Sequence, residues 1–188
     1  VGAVEPIAFE ELTPELRGML GPRVERLGYL GEFFQYGAHQ PDALAGFVRF
    51  SEALKDALPW ELVEVVALTI ATETHNEYER VQHERLSLRL GMSREQVEAV
   101  IGGRLTPAEF STAQIITAEL ARCCARTAGR RCERRFAALR DEVDEETAIG
   151  VLLLCGRYVA HATVANTLGL RAPVASPLSE QTEPGHAR

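Results

Sequence analysis

The sequence predicts an all-α protein, and three observations carry that reading. Ala, Leu, Glu and Arg dominate a chain of 188 residues, aromatic residues make up only 6%, and β-branched runs are short. Apolar residues recur at helical spacing in one segment after another. Proline, glycine and small polar residues fall where helices begin and end. With 46% hydrophobic residues and no break in composition, the chain can bury one substantial core. A single helical domain over residues 1–172 is expected, followed by a Pro-, Ser-, Glu- and Gln-rich tail, 173–188, expected to be disordered.

Residues 1–8 read as a loosely held arm. Thr13 before Pro14 is a capped helix start, and Pro22 and Gly28 are expected to divide the stretch up to Phe34 into short helical pieces. Pro41-Asp42 opens a clearer helix whose stripe is Leu44, Phe47, Val48, Phe50, Ser51 and Leu54. Pro59 opens the next, so nearly apolar all round between Leu62 and Ile70 that it should be the spine of the core. A further helix is expected over 75–90, closed by Gly91, and Ser93 caps a short one through Val100. Thr106-Pro107-Ala108-Glu109 has the capping-box pattern for a helix reaching about Arg126. Phe136, Ala137 and Leu139 mark a short helix, and Asp144 with Thr147 starts the last long one, ending near Gly169.

Composition excludes some functions. A formal charge of −7 argues against gripping a phosphate backbone, so no nucleic-acid partner is expected. The basic residues are 19 Arg and the single Lys55, a bias given no functional weight. The longest apolar run, Ala148 to Leu154, is short for a bilayer span, and no signal-like N-terminus is seen, so no membrane partner and a cytoplasmic location are expected. Cys123, Cys124, Cys132 and Cys155 show no zinc spacing and read as buried free thiols.

The chemistry concentrates in Glu73-Thr74-His75-Asn76-Glu77-Tyr78-Glu79-Arg80-Val81-Gln82-His83. Residues four apart share a helix face, which would align His75, Glu79 and His83 with Asn76 beside them. The plain reading is a solvated Glu79–His83 pair; the functional one is a general acid and base facing a pocket, with Glu79 orienting His83 or raising its pKa. Tyr78 and Trp60 read as packing groups. His161 is either a core histidine or a pocket wall, and Arg157, in an apolar helix, is the best candidate for holding an anion. A metal bound by His75, Glu79 and His83 is not expected, because one helix face seldom supplies three ligands to one ion.

Leu58-Pro59-Trp60-Glu61-Leu62-Val63-Glu64, then Asn76-Glu77-Tyr78-Glu79-Arg80-Val81-Gln82-His83 and Gly91-Met92-Ser93, resemble the signature region of the carboxymuconolactone decarboxylase and alkyl hydroperoxidase D superfamily. Ala38-His39-Gln40-Pro41-Asp42 and Tyr158-Val159-Ala160-His161 with Asn166-Thr167-Leu168-Gly169-Leu170 are similar to its outer segments. The resemblance implies a compact bundle of about seven to nine helices. In the hydroperoxidase branch this helix carries Cys-x-x-Cys-x-x-x-His with a glutamate upstream; those positions fall on Asn76, Glu79, His83 and Glu64. Both thiols are missing, and neither an amide nor a carboxylate can cycle through a disulfide.

The decarboxylase branch, which pairs a Glu with a His four residues on, implies acid–base chemistry without metal or organic cofactor. On that reading His83, Glu79 and Glu64 are catalytic, and Asn76, His75, Tyr78, Arg157 and His161 bind a small-molecule substrate. Burial is expected to raise the pKa of Glu79. The expected function is decarboxylation, isomerisation or cyclisation of a small metabolite. The alternatives are a peroxidase-like oxidoreductase using Cys155 or Cys123 as a lone thiol, and a non-catalytic ligand-binding protein. The resemblance also implies a homo-oligomer, a trimer or hexamer.

Overall fold

The computed structural model describes residues 4–179. Among them are nine α-helices and no strand: α1 (Pro14–Leu27), α2 (Glu32–Gly37), α3 (Pro41–Ala57), α4 (Trp60–Glu73), α5 (Glu77–Leu90), α6 (Arg94–Gly102), α7 (Thr112–Thr127), α8 (Glu133–Glu142) and α9 (Glu145–Leu168).

The expected spine is the spine. Every residue of α4 from Leu62 to Ala71 is buried, because the helix is covered on all sides by α5, α6, α7 and α9. Val65 and Leu68 pack with Val97, Val100 and Phe110 on one side; Val66, Ala67 and Ile70 pack with Leu120, Val151 and Leu154 on the other. A separate cluster, built on Leu16, Leu20, Phe33, Leu44 and Val48, joins the N-terminal helices to Tyr78. An apolar helix in that position must partner any polar group it carries, and Glu64, only 2% exposed, is the one charged side chain buried along α4.

Several boundaries differ from the sequence reading. Pro22 lies inside α1 without ending it, and Gly28, with φ of 81°, closes the helix. A proline costs one hydrogen bond and crowds the carbonyl four residues back; here that residue is Gly18, whose backbone has most freedom to adjust. The Thr106 pattern closes only a turn, with the amides of Glu109 and Phe110 on the Thr106 carbonyl, and α7 starts later on a Ser111/Gln114 capping box. Burial of Phe110 accounts for the break. The N-terminal arm is tied from residue 5 on: the His39 ring meets the Glu5 carbonyl at 2.8 Å, and Ile7 donates to the Gln35 carbonyl.

α9 corrects the membrane argument, since at 24 residues it is long and apolar enough to cross a bilayer. Half of that apolar window is buried against the protein, and the buried face carries Arg157, Tyr158 and His161, which marks a core helix of this fold. The segment expected to be disordered from Pro173 docks at its described end. Ser176 donates to Glu84, Arg94 donates to the carbonyls of Pro177 and Leu178, and Leu178 packs against the α4–α6 cluster. Glu84 is fully buried, paired also with Arg80, so Ser176 helps satisfy an otherwise costly carboxylate. The remainder of that tail, 180–188, lies outside the described residues.

Candidate active site

The expected stripe of His75, Glu79 and His83 does not form, because α5 begins two residues later than expected. His75 occupies the α4–α5 turn with φ of 54° and is exposed. Asn76 is the N-cap, its Oδ1 accepting the Glu79 amide at 3.2 Å. The turn is fastened by Asn166 of α9, which donates to the Thr74 carbonyl at 2.7 Å. Asn76 is thereby buried, not beside a pocket but behind one.

His83, one turn further into α5, meets the buried carboxylate of α4: Nδ1 lies 2.8 Å from Glu64 Oε2. Ser87, one turn on again, donates to the same oxygen at 2.8 Å. With Nδ1–H donating to Glu64, Nε2 faces the Tyr158 hydroxyl of α9 at 3.0 Å and Glu79 Oε1 at 3.7 Å. Glu64, His83 and Tyr158 therefore make one hydrogen-bonded line across three helices. Burial disfavours the imidazolium, but the Glu64 charge and hydrogen bond, with Glu79 behind them, outweigh it and raise the His83 pKa.

Glu79 has a different environment from the one expected. Burial pushes its pKa up, as anticipated, yet the surrounding imidazoles and the Arg157 guanidinium overcome that and hold it well below the usual carboxylate range. Arg157 Nη1 lies 2.8 Å from Glu79 Oε1, and Nε donates to Ser51 at 3.0 Å. The guanidinium also lies over the Tyr158 and Phe47 rings, 4.3 and 5.1 Å from their centroids. Glu79 is thus a fixed anion rather than a carboxyl poised to give up a proton.

His161 completes the group. Because Asn76 Oδ1 is occupied by the Glu79 amide, its NH2 faces His161 Nδ1 at 3.2 Å, which places the ring proton on Nε2, 3.4 Å from Glu79 Oε2. Burial is the main reason its pKa is lowered to about 4, and Arg157 adds to the effect while Glu79 opposes it. The ring is sandwiched by Phe33 at 4.0 Å and Tyr78 at 5.7 Å between centroids. Tyr78 in turn approaches Gly31 so closely that a Cβ there would sit 2.3 Å from its hydroxyl, which requires glycine.

The two histidines make stability depend on pH in opposite senses. His161 protonates in the unfolded chain near 6.5 but in the folded one only near 4, so the stability it contributes above pH 6.5 is lost as pH falls toward 4. That interval corresponds to about 3 kcal/mol at most. His83, raised when folded, acts oppositely, its contribution being lost as pH rises above 6.5 through its folded value. Urea titrations should show stability falling on both sides of mildly acidic pH. His161→Phe, which keeps the stack on Phe33, should flatten the limb between pH 6.5 and 4; an unchanged limb would refute the assignment.

These groups open on a cavity of about 260 Å³. Tyr78, Glu79, His83, Arg157 and His161 line it; Glu64 and Asn76 stand behind the wall, and His75 is not part of it. Arg23, Arg26, Lys55, Arg85 and Arg89 turn five further positive charges to it, against one carboxylate, Glu79; Arg23, Arg26, Lys55 and Arg89 were not found from sequence. None of those five is in an ion pair among the described residues, although Arg23 lies over the Phe34 ring. Burial, and then Arg157, lower the Lys55 pKa to about 8. Ser51, Ser87 and Tyr158 were also missed as site residues. Serines recur on every surface, but Arg157, Tyr158 and His161 within one apolar helix were a signal that polar groups of α9 share a buried partner. Trp60, expected to pack, is 36% exposed at the start of α4.

The helices have the arrangement of the all-α alkylhydroperoxidase D-like fold. Residues 41–122, from α3 into α7, match the carboxymuconolactone decarboxylase family. A cysteine-to-alanine variant of the debrominase Bmp8 in complex with 2,3,4-tribromopyrrole superposes with a TM-score of 0.80 at 16% identity, covering 94% of each chain. An uncharacterized peroxidase-related protein with the AhpD core from Ralstonia eutropha JMP134 gives 0.76 at 20% identity over 90% of each. A peroxidase-related protein from Silicibacter sp. TM1040 gives 0.75 at 17% identity over 91% of this chain and 94% of that one. No curated protein matches by sequence. The match to the carboxymuconolactone decarboxylase family thus covers the central helices, and the solved structures share the alkylhydroperoxidase D-like fold of the whole bundle.

Proposed function

We propose that the protein is a cofactor-independent proton-transfer enzyme, of decarboxylase, isomerase or cyclase type, acting on a small carbonyl- or carboxylate-bearing metabolite. The observation that carries this reading is the Glu64–His83–Tyr158 line, whose central member, His83, lines the cavity. Glu64 holds the imidazole in the Nδ1–H tautomer, leaving Nε2 to take a proton from carbon or oxygen, directly or through the Tyr158 hydroxyl, and to return it. The negative charge that develops as a carbon acid loses its proton, or as carbon dioxide departs, would meet Arg157 and the unpaired cations of the wall. Their excess over Glu79, in a protein of net charge −7, favours an anionic substrate. Glu79 and His161 then hold Arg157 and the cavity wall in place.

Turnover of a panel of unsaturated lactones, β-keto acids and hydroperoxides tests the reading. Lyase or isomerase turnover that disappears in His83→Ala supports it. Saturable binding of the same acids without turnover in any member would leave a binding protein instead, and peroxide consumption abolished by thiol alkylation would favour the oxidoreductase alternative. None of the four cysteines lines this cavity.

The reading includes a cytoplasmic setting, supported by four free cysteines, and a homo-oligomer. Ile149, Leu152 and Leu153 of α9 are 49, 37 and 48% exposed, an apolar face that a second copy would cover. Light scattering that returned a monomer would remove the oligomer.

A further inference from the structure

All four cysteines lie together, on the far side of α7 from the α4–α6 cluster, although they are spread over residues 123 to 155. Cys124 Sγ lies 4.0 Å from Cys132 Sγ. Cys132 and Cys123 both approach the Thr127 hydroxyl, at 3.7 and 3.9 Å. Cys155 of α9 is buried in the same apolar cluster as Cys124 and Cys132. A second cavity, of about 300 Å³, opens beside this cluster, walled by Cys123, Thr127 and four arginines, Arg122, Arg126, Arg131 and Arg135. None of these groups takes part in the chemistry proposed above.

We propose that Cys124 and Cys132 form a second reactive site, a dithiol that a small hydroperoxide oxidises to a disulfide. The two sulfurs are in van der Waals contact and need to close to about 2.05 Å. Cys132 is carried at the end of the α7–α8 loop, ahead of Glu133, so its sulfur can approach without displacing a packed helix. That loop already holds Ala128 and Arg131 at positive φ, 53 and 66°, away from the relaxed backbone.

The two thiols are also electronically unequal. Hydrogen bonds from Cys155, then from Cys132, lower Cys124 to about 7 against the opposing effect of burial, whereas burial pushes Cys132 up to about 12. Cys124 is the nucleophile and Cys132 the resolving partner. The Cys124 thiolate attacks one peroxide oxygen, the O–O bond breaks, and sulfenic acid forms while hydroxide or alkoxide leaves and is protonated. Cys132 sulfur then attacks the sulfenic sulfur; its proton joins the departing hydroxide as water, and the S–S bond forms. Two thiols are oxidised by two electrons and one peroxide is reduced to water or an alcohol plus water. Cys124 and Cys132 are only 6 and 4% exposed, which restricts the oxidant to a small one.

The test uses the full reduced chain treated with a few equivalents of hydrogen peroxide, with intact mass and non-reducing peptide mapping. The expected result is a loss of about 2 Da, the mass of the two hydrogens given up when the disulfide forms, and a bond joining Cys124 to Cys132. The bond should persist in Cys123→Ser and in His83→Ala, which separates this site from the acid–base chemistry. In Cys132→Ser it should be replaced by a sulfenic acid on Cys124 that dimedone traps. An unchanged mass, oxidation confined to Cys123, or a bond mapped to another pair in the unmutated protein overturns the proposal without reliance on any variant folding.

Discussion

Arg157→Met is expected to destabilise the protein by about 3–5 kcal/mol, the cost of leaving a buried carboxylate without its counter-ion. Arg157 is 6% exposed and Glu79 7%, with 2.8 Å between Nη1 and Oε1. His161, with its pKa lowered to about 4, offers Glu79 a neutral N–H at 3.4 Å rather than a second charge. The guanidinium is therefore the permanent charge that, with His161 and His83, lets Glu79 remain ionised, and its removal should move the Glu79 pKa upward, toward the value its burial favours. The stability contributed by Glu79 is present above its unfolded pKa of 4.5 and is lost as pH falls through its depressed folded value; in Arg157→Met that loss should begin at higher pH. Methionine keeps much of the apolar stem packed on Phe47 and Tyr158, so the effect is electrostatic more than steric. The double variant Arg157→Met/Glu79→Gln removes charge and counter-charge together and should recover about 2 kcal/mol relative to additivity in urea unfolding. Additivity within about 0.5 kcal/mol would mean that the pair is not coupled in solution.

For turnover, the largest expected effect belongs to His83. Replacing it with alanine should lower kcat about 10²- to 10⁴-fold, the range for a positioned general acid–base, on whichever substrate of the panel is active. Glu64→Gln separates the imidazole from its setting: the amide can still hydrogen-bond Nδ1, but the charge that raises the His83 pKa is gone. The basic form of His83 should then appear at lower pH. The ascending limb of kcat/KM, expected above 6.5 in the native protein, should shift toward acid, with a smaller fall in kcat than in His83→Ala. A limb that stays in place would place the titrating group elsewhere. Tyr158→Phe keeps the edge-on ring contact with His83 while deleting the hydroxyl at 3.0 Å from Nε2. Loss of turnover there with an unchanged limb would assign Tyr158 to proton delivery rather than to setting the imidazole pKa.

The arginine and the histidine centres differ in what their loss exposes. Arg157 and Glu79 neutralise each other within a low-dielectric wall, so their removal is felt first as stability. His83 and Glu64 form a dyad whose hydrogen bonds survive a change of protonation, because Ser87 donates to Glu64 and the Tyr158 hydroxyl can donate to Nε2 or accept from it. A group that can gain or lose a proton at small cost is suited to carry one during reaction.

Periodicity and punctuation by themselves determined the all-α class, the central position of α4, the starts of α3, α6 and α9 and the C-terminal ends of α5 and α9, since these follow from local rules: apolar spacing, first-turn proline, and glycine or serine at caps. They also set Glu79, His83, Arg157 and His161 within helices where any polar group that becomes buried needs a partner. Which partner each received was decided only by the tertiary structure. A helix-face argument joins Glu79 to His83 and adds His75, but a cap at Asn76 removed His75 from the face, and packing of α4 on α5 brought Glu64, nineteen positions from His83 in sequence, to the imidazole. The fate of Glu79 depended on His161 and Arg157 of α9, the guanidinium 78 positions away, which with His83 reversed the pKa shift that burial alone would give. The convergence of Lys55 and the arginines on the cavity was likewise invisible, because a sequence shows how many charges a chain carries, and only the packing of α1, α3, α5 and α9 shows that six of them meet at one space.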